Sequence, residues 1–180
     1  MRTFIGGIAS PDSAERSIGA RLSERLASDA PINAARVVVA DLSADPFEIA
    51  EQLNSEWPKF ERVILVGEVP RSRAAGTVTA YRWNGNDPNE DDAARTAERD
   101  SADFDATLLM VRSLADLPDE IIVVEVEPEI SSQRHEALRD ARGDSAVERA
   151  RTLVRRLATN SRAAKTLPEC ALGGHSRQAD

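Results

Sequence analysis

The sequence has 180 residues, of which 41% are hydrophobic, and its formal net charge is −8. This length and apolar content suffice for one domain with its own core. The acidic balance argues against nucleic acid as the main partner, because phosphate binding needs a basic surface. The single cysteine, Cys170, excludes a disulfide or a cysteine-based metal site within the chain. No apolar run approaches the ~20 residues of a membrane span, so we expect a cytoplasmic protein that binds neither membranes nor nucleic acid.

Short β-branched runs alternate with helical patterns along the chain. The first apolar run predicts a strand over residues 3–8, followed by a loop and a helix that carries Leu22 and Leu26 on one face. Further strands are predicted at residues 36–40, 62–67, 77–83 and 121–126. The strand at 77–83 alternates apolar and polar residues, which is typical of an antiparallel or edge strand. Helical patterns follow Pro46, surround Leu108 and cover residues 145–157.

This alternation predicts an α/β fold. Right-handed crossovers between the strands give a three-layer α/β/α sandwich with a mostly parallel, twisted sheet of about five strands, one edge strand being antiparallel. We assign residues 1–158 to a single α/β domain. Residues 84–92 are acidic and turn-rich, and they predict a mobile loop. Residues 159–180 show no periodicity and predict a disordered tail.

In a sheet of this type, ligands bind beyond the carboxyl ends of the strands. The first loop is therefore the expected cleft, with Gly7, Ser10 and Asp12 as its residues. It has neither the dinucleotide-binding glycine spacing nor a P-loop. Carboxylates at or just after predicted strand ends are Asp12, Glu15, Asp41, Glu68 and Glu127. If they converge, they could bind a hard metal ion or share a proton, although a chain with 31 acidic residues also places several in loops by chance.

Three groups of residues occur in the order of one known family. A glycine-rich loop leads into a helix over residues 7–19, and the apolar strand at 63–66 is followed by a strand that begins Gly76-Thr77. An apolar helix then stops at Leu117-Pro118, before a strand that ends in Pro128-Glu129. Through this ordered set, which covers about residues 3–157, the chain resembles the hydrogenase maturation endopeptidases. These proteins trim the C-terminus of the nickel-iron hydrogenase large subunit.

The resemblance also implies a metal site that this chain has changed. The family binds the substrate's nickel through a Glu, an Asp and a His, and the matching positions here hold Arg16, Gly67 and Asp100. Glu15 and Glu68 lie one residue from two of these positions and form, with Asp100, the candidate metal or cleft set. Since an arginine cannot bind a cation, we expect no tightly bound cofactor. The substrate's nickel is the ion that the resemblance implies, and no catalytic residue is assigned.

Two functions stay open at this point, and with them the question of whether the protein is an enzyme. One is an endopeptidase that processes a hydrogenase large subunit with the rearranged carboxylates Glu15, Glu68 and Asp100. The other is a catalytically inactive relative that keeps the cleft and binds a hydrogenase subunit or another protein as an assembly factor. Both predict a protein partner.

Overall fold

A computed structural model describes residues 1–8, 17–29, 32, 36–42, 45–55, 59–85, 99–128 and 136–172, without the side chains of 99–103 and 136–142. The strands are β1 (Thr3–Ile8), β2 (Val37–Leu42), β3 (Arg62–Glu68), β4 (Val78–Trp83), β5 (Glu120–Val126) and β6 (Glu169–Cys170). The helices are α1 (Ile18–Ala27), α2 (Pro46–Ser55), α3 (Arg99–Leu114), α4 (Glu136–Thr159) and α5 (Ser161–Lys165). None of these helices is long and apolar enough to cross a membrane.

The strands form one sheet in the order β2-β1-β3-β5-β4-β6. All neighbours pair in parallel except β4 and β5, which are antiparallel. The predicted antiparallel strand is therefore confirmed, but its place at the edge is wrong, because β6 pairs beyond it. Trp83 of β4 lies opposite Cys170 of β6.

Helices cover both faces of the sheet, which confirms the three-layer α/β/α architecture. Along β3, Val63 and Leu65 pack on the face that carries α2 and α3, whereas Ile64 and Val66 pack on the face that carries α1, α4 and α5. All four side chains are at most 1% exposed. A strand that is buried on both faces needs this continuous apolar sequence, because successive side chains point to opposite layers.

The starts of the helices follow from local hydrogen bonds. The Ser17 hydroxyl accepts a hydrogen bond from the Ala20 backbone N–H at 3.2 Å and caps α1. At the start of α2, the Asp45 carboxylate accepts the Phe47 N–H at 2.8 Å, and Pro46 occupies the first helical position. α1 therefore begins at Ile18, at the end of the sheet where β1 and β3 finish.

The expectation of a disordered tail from residue 159 is wrong over residues 159–172. The Asn160 side chain caps α5 by accepting the N–H groups of Arg162 and Ala163 at 3.0 and 3.2 Å. Ala164 and Leu172 are fully buried. These elements are too short to show a sequence period, and they pack through backbone pairing and small apolar side chains. Residues 173–180, and residues 86–92 of the predicted mobile loop, lie outside the described residues.

Candidate functional site

The candidate site lies at the carboxyl ends of β1 and β3. Gly7, which we expected to border the cleft, lies near the end of β1, within the strand predicted over residues 3–8. A Cβ atom on Gly7 would lie 2.3 Å from the backbone oxygen of Gly19 in α1. Gly7 thus allows α1 to pack directly on β1, and this contact brings the N-terminus of the helix to the end of the sheet.

Glu68 is the last residue of β3, and its side chain reaches the first turn of α1. Its carboxylate accepts a hydrogen bond from the Ile18 backbone N–H, and Arg21 lies near enough to act on it electrostatically. Burial raises the pKa of Glu68 above its ordinary value, and these two contacts offset that effect only in part. The site therefore contains a carboxyl group that retains its proton more readily than an exposed glutamate.

Gly67 faces the opposite layer. A Cβ atom at this position would lie 2.2 Å from Cε2 of Phe104, and the Phe104 ring is itself buried. The aromatic ring therefore occupies the space that a side chain at position 67 would need. This position is the one at which the resemblance implies a metal-binding aspartate.

The remaining predicted site residues are only partly described. Asp100 lies in the first turn of α3, one helical turn before Phe104, and its side chain is not described. The other predicted residues of the first loop lie outside the described residues; they are Ser10, Asp12, Glu15 and Arg16. The convergence of Glu15, Glu68 and Asp100 thus stays a prediction. The described residues contain no group of three His, Cys, Asp or Glu side chains that could bind a metal ion.

A buried ionic network on the α3 face was not predicted. Glu125 of β5 lies opposite Gly67 in the sheet register and is fully buried. Its Oε1 accepts hydrogen bonds from Arg71 Nη2 at 3.0 Å and from the Tyr81 hydroxyl at 2.9 Å. Arg73 Nη2 lies 2.9 Å from its second oxygen, Oε2. Arg71 also donates two hydrogen bonds to Asp105 of α3, at 2.9 and 2.7 Å.

The network shifts the pKa values of its members in opposite directions. Burial alone would raise the pKa of Glu125, but Arg71, Arg73 and the Tyr81 hydroxyl outweigh burial and hold that pKa below its ordinary value. The pKa of Tyr81 is raised, first by burial and then by the neighbouring Glu125 charge. The described charges around Glu125 are therefore fixed, with the acid ionised and the phenol neutral.

The same network fixes the segment between β3 and β4. Both carboxylate oxygens of Glu127 accept the backbone N–H of Arg71, at 3.0 and 2.9 Å. Arg73 Nη1 donates to the Thr79 hydroxyl at 2.7 Å. Arg71 and Arg73 stand just after Pro70, and Glu125 interrupts an apolar run, so the sequence does contain a signal for buried ion pairs. The sequence does not indicate, however, which acid pairs with which arginine.

Comparisons with known proteins bear on the fold. No protein-family model and no curated protein matches the sequence significantly. Among solved structures, the hydrogenase maturating endopeptidase HybD from E. coli aligns with 87% of this chain and 94% of its own, at 17% identity and a TM-score of 0.54. A second structure, of an endopeptidase from Escherichia coli, aligns with 89% of this chain and 94% of its own, at 18% identity and a TM-score of 0.53.

An archaeal structure gives the same result. The hydrogenase 2 maturation peptidase from a Thaumarchaeota archaeon aligns with 86% of this chain and 96% of its own, at 18% identity and a TM-score of 0.50. At such identities the likeness concerns the path of the chain and not the chemistry of the site. The resemblance noted in the sequence is therefore confirmed at the level of structure: this chain has the fold of the hydrogenase maturation endopeptidases.

Proposed function

We propose that this protein is a hydrogenase maturation protease-like protein that binds a hydrogenase large subunit, or another protein, as an assembly factor and does not cleave it. The fold supports a role in the maturation of hydrogenase subunits. The observation that carries the non-catalytic part is the contact between Gly67 and Phe104. Position 67 offers no ligand atom, and the aromatic ring fills the space beside it.

The chemistry around this contact supports the same interpretation. Nickel is bound in proteins through nitrogen, oxygen or sulfur atoms. On the α3 face the described carboxylates of Glu125 and Asp105 are already bound by Arg71, at distances of 2.7 to 3.0 Å. An incoming cation would have to displace a guanidinium group from each of them, and this would leave Arg71 buried without its partners.

An active endopeptidase is the second candidate, and Glu68 favours it. A carboxyl group with a raised pKa at a strand end can transfer a proton during hydrolysis of a peptide bond. In this reading Glu15 and Asp100 would complete the rearranged carboxylate set with Glu68. The protein partner, and the substrate's nickel, would be those that the family resemblance implies.

One experiment separates the two candidates. The purified protein is mixed with a nickel-loaded large-subunit precursor from the same organism that still carries its C-terminal extension. Complex formation is measured by size-exclusion chromatography with light scattering, and cleavage by intact-protein mass spectrometry. HybD from E. coli with its own precursor is the positive control for cleavage.

We expect a complex in which the precursor keeps its full mass. Loss of the C-terminal extension would contradict the non-catalytic proposal and establish the endopeptidase. A Glu68→Gln variant would then show whether this carboxyl takes part, because glutamine preserves the shape of the side chain but cannot transfer the proton. Absence of any complex would contradict the large subunit as the partner.

A further inference from the structure

We propose that the outer edge of β2 and the groove beside α1 bind an extended segment of a partner protein that carries a basic side chain. We call this surface the β2 groove. It is lined by Ala20, Ser23, Glu24, Ala27, Val39 and Asp41. Neither Glu68 nor Gly67 lines this groove, although Arg21 contributes both to it and to the surroundings of Glu68. The inference goes beyond the proposed function and does not depend on it.

The backbone of β2 provides the first argument. β2 is the outermost strand at its side of the sheet in the described part of the chain. The Thr3 N–H of β1 donates to the Arg36 carbonyl at 2.9 Å. Every second residue of a parallel strand bonds to the same neighbour, so Val37, Val39 and Asp41 direct their N–H and C=O groups away from β1. Such groups can pair with an added strand.

The shape of the groove provides the second argument. The space between α1 and β2 has a volume of about 450 Å³. On the helix side it is bounded by the small side chains of Ala20, Ser23 and Ala27, and on the strand side by Val39 and Asp41. Val39 and Asp41 therefore line the groove with their side chains and also direct their backbone N–H and C=O groups away from β1. A strand added at this edge would place every second side chain in the groove, since side chains alternate between the two faces.

The charges of the groove identify the partner's chemistry. Glu24 and Asp41 are both exposed, and neither forms an ion pair with another described residue. Arg21, which also lines the groove, donates to Asp144 of α4 at 2.6 Å, so its charge is already compensated. Although Asp41 is exposed, partial desolvation of its carboxyl group raises its pKa, and a nearby cation would favour the ionised form. An extended segment with a lysine or arginine directed into the groove meets these requirements.

A second copy of this chain fits the surface less well. It would bring its own Glu24 and Asp41 towards the same groove, and each chain carries a net charge of −8. Like charges across an interface oppose association. The occupant to which the observations point is therefore a basic, extended segment of a different protein.

The test begins with selection of peptides from a displayed library of random dodecamers against the full chain. Selected peptides are then titrated into the isotopically labelled protein, and binding is mapped by changes in amide NMR signals. We expect lysine or arginine flanked by β-branched residues in the peptides. The signals of Val37, Val39 and Asp41 should shift. Methylation of the peptide's backbone nitrogens on its strand-facing edge should weaken binding about tenfold or more.

Two variants test the site from the side of the protein. Val39→Pro removes an outward-facing N–H and no bond to β1, and Pro is tolerated at such positions of edge strands. Asp41→Lys reverses a charge in the groove. Each should weaken binding about tenfold or more. Glu51→Lys, an equal change of charge at an exposed residue of α2, should leave binding unchanged. Circular dichroism confirms that each variant is folded.

Several results would overturn the proposal. They are the absence of any selected binder, peptides without basic residues, signal changes confined to another surface, and binding that Val39→Pro does not weaken. Sedimentation of the unliganded protein provides an additional outcome. A dimer that Val39→Pro dissociates would show that a second copy occupies β2, and the basic partner would be excluded.

Discussion

Glu68 and Glu125 lie on neighbouring strands at the same end of the sheet, yet their surroundings differ completely. Glu125 pairs with Gly67 in the register, one residue before Glu68, so the two carboxylates point to opposite layers. On the α3 face, Glu125 receives hydrogen bonds from Arg71 and Tyr81. On the α1 face, Glu68 receives one backbone N–H, and Arg21 acts on it only at a distance.

The comparison shows what decides whether a carboxyl group withdrawn from water is ionised. Burial alone would raise the pKa of both carboxyl groups, but their hydrogen-bond donors and their neighbouring cations differ. Two guanidinium groups and a phenol outweigh burial at Glu125, whereas a helix N-terminus and a distant arginine do not outweigh it at Glu68. The α3 face is thus a fixed ionic structure. The α1 face retains a carboxyl group that can still exchange its proton.

The largest expected effect comes from Glu125→Gln. The change leaves Arg73 buried without its counter-ion and weakens the contact with Arg71, and breaking a buried ion pair typically costs about 3–5 kcal/mol. We expect the Tm to fall by roughly 6–20 °C for a domain of this size. Differential scanning calorimetry measures the change. Because the pKa of Glu125 is lowered in the folded state, the difference from wild type should shrink as the pH falls below the ordinary range of glutamate.

Glu169→Gln is the matched control for that prediction. Glu169 pairs with Arg82 at 2.9 Å, but both side chains are substantially exposed. Surface pairs are worth about 1 kcal/mol at most. A loss of stability in Glu125→Gln no larger than in Glu169→Gln would show that the network on the α3 face does not stabilise the fold.

A smaller effect is expected from Gly67→Ala. The added methyl group would lie 2.2 Å from the Phe104 ring, so the ring must move. Overpacking of this kind costs about 1–3 kcal/mol. The double variant Gly67→Ala/Phe104→Leu should be less destabilised than the sum of the two single changes, because the smaller side chain vacates the space. Urea denaturation of the four proteins measures this coupling, and strict additivity would contradict close packing between position 67 and the Phe104 ring.

The fold was largely predictable because its central strands are buried on both faces. β3 and β5 each carry four consecutive apolar residues, 63–66 and 121–124, and β1 is buried along its whole length. The predicted limits of all three strands differ from the observed ones by no more than one residue. α5 and β6 were missed because five and two residues cannot show a period. The edge position given to β4 was wrong for the same reason, since β6 is the strand that covers it.

The candidate site was predictable only where it depends on strand ends. The sequence predicts that Glu68 lies at the end of β3. The layer to which its side chain points could be assigned only from the register of the sheet. The partners of Glu125 come from positions 44 to 54 residues away in the chain, at Tyr81 and Arg71. Long-range pairing of this kind leaves no local pattern. The role of Gly67 could not be predicted for the same reason. A side chain at this position is excluded by the ring of Phe104, which belongs to α3.

The smallest expected effect is a gain of stability, in Glu68→Gln. The raised pKa means that the folded protein binds this proton more tightly than the unfolded chain does. Wild-type stability therefore decreases as the pH rises from the ordinary glutamate value of 4.5 through the folded-state value, and stays reduced above it. Glutamine has no charge to desolvate, and its side-chain oxygen can still accept the Ile18 N–H. At pH 7 we expect the variant to be more stable by about 1 kcal/mol, which corresponds to roughly 2–4 °C in Tm.

Thermal unfolding of wild type and Glu68→Gln between pH 4 and pH 8 tests the sign of this effect. The difference in Tm should be present at pH 7 and should diminish towards pH 4, where the wild-type carboxyl group is itself protonated. Glu51→Gln, on the exposed side of α2, should show no such dependence. If Glu68→Gln is less stable than wild type at pH 7, the Ile18 N–H and Arg21 stabilise the ionised carboxylate by more than burial costs. Both carboxyl groups would then be stabilised in their ionised forms, to different extents, and Glu68 would be a helix cap instead of a proton donor.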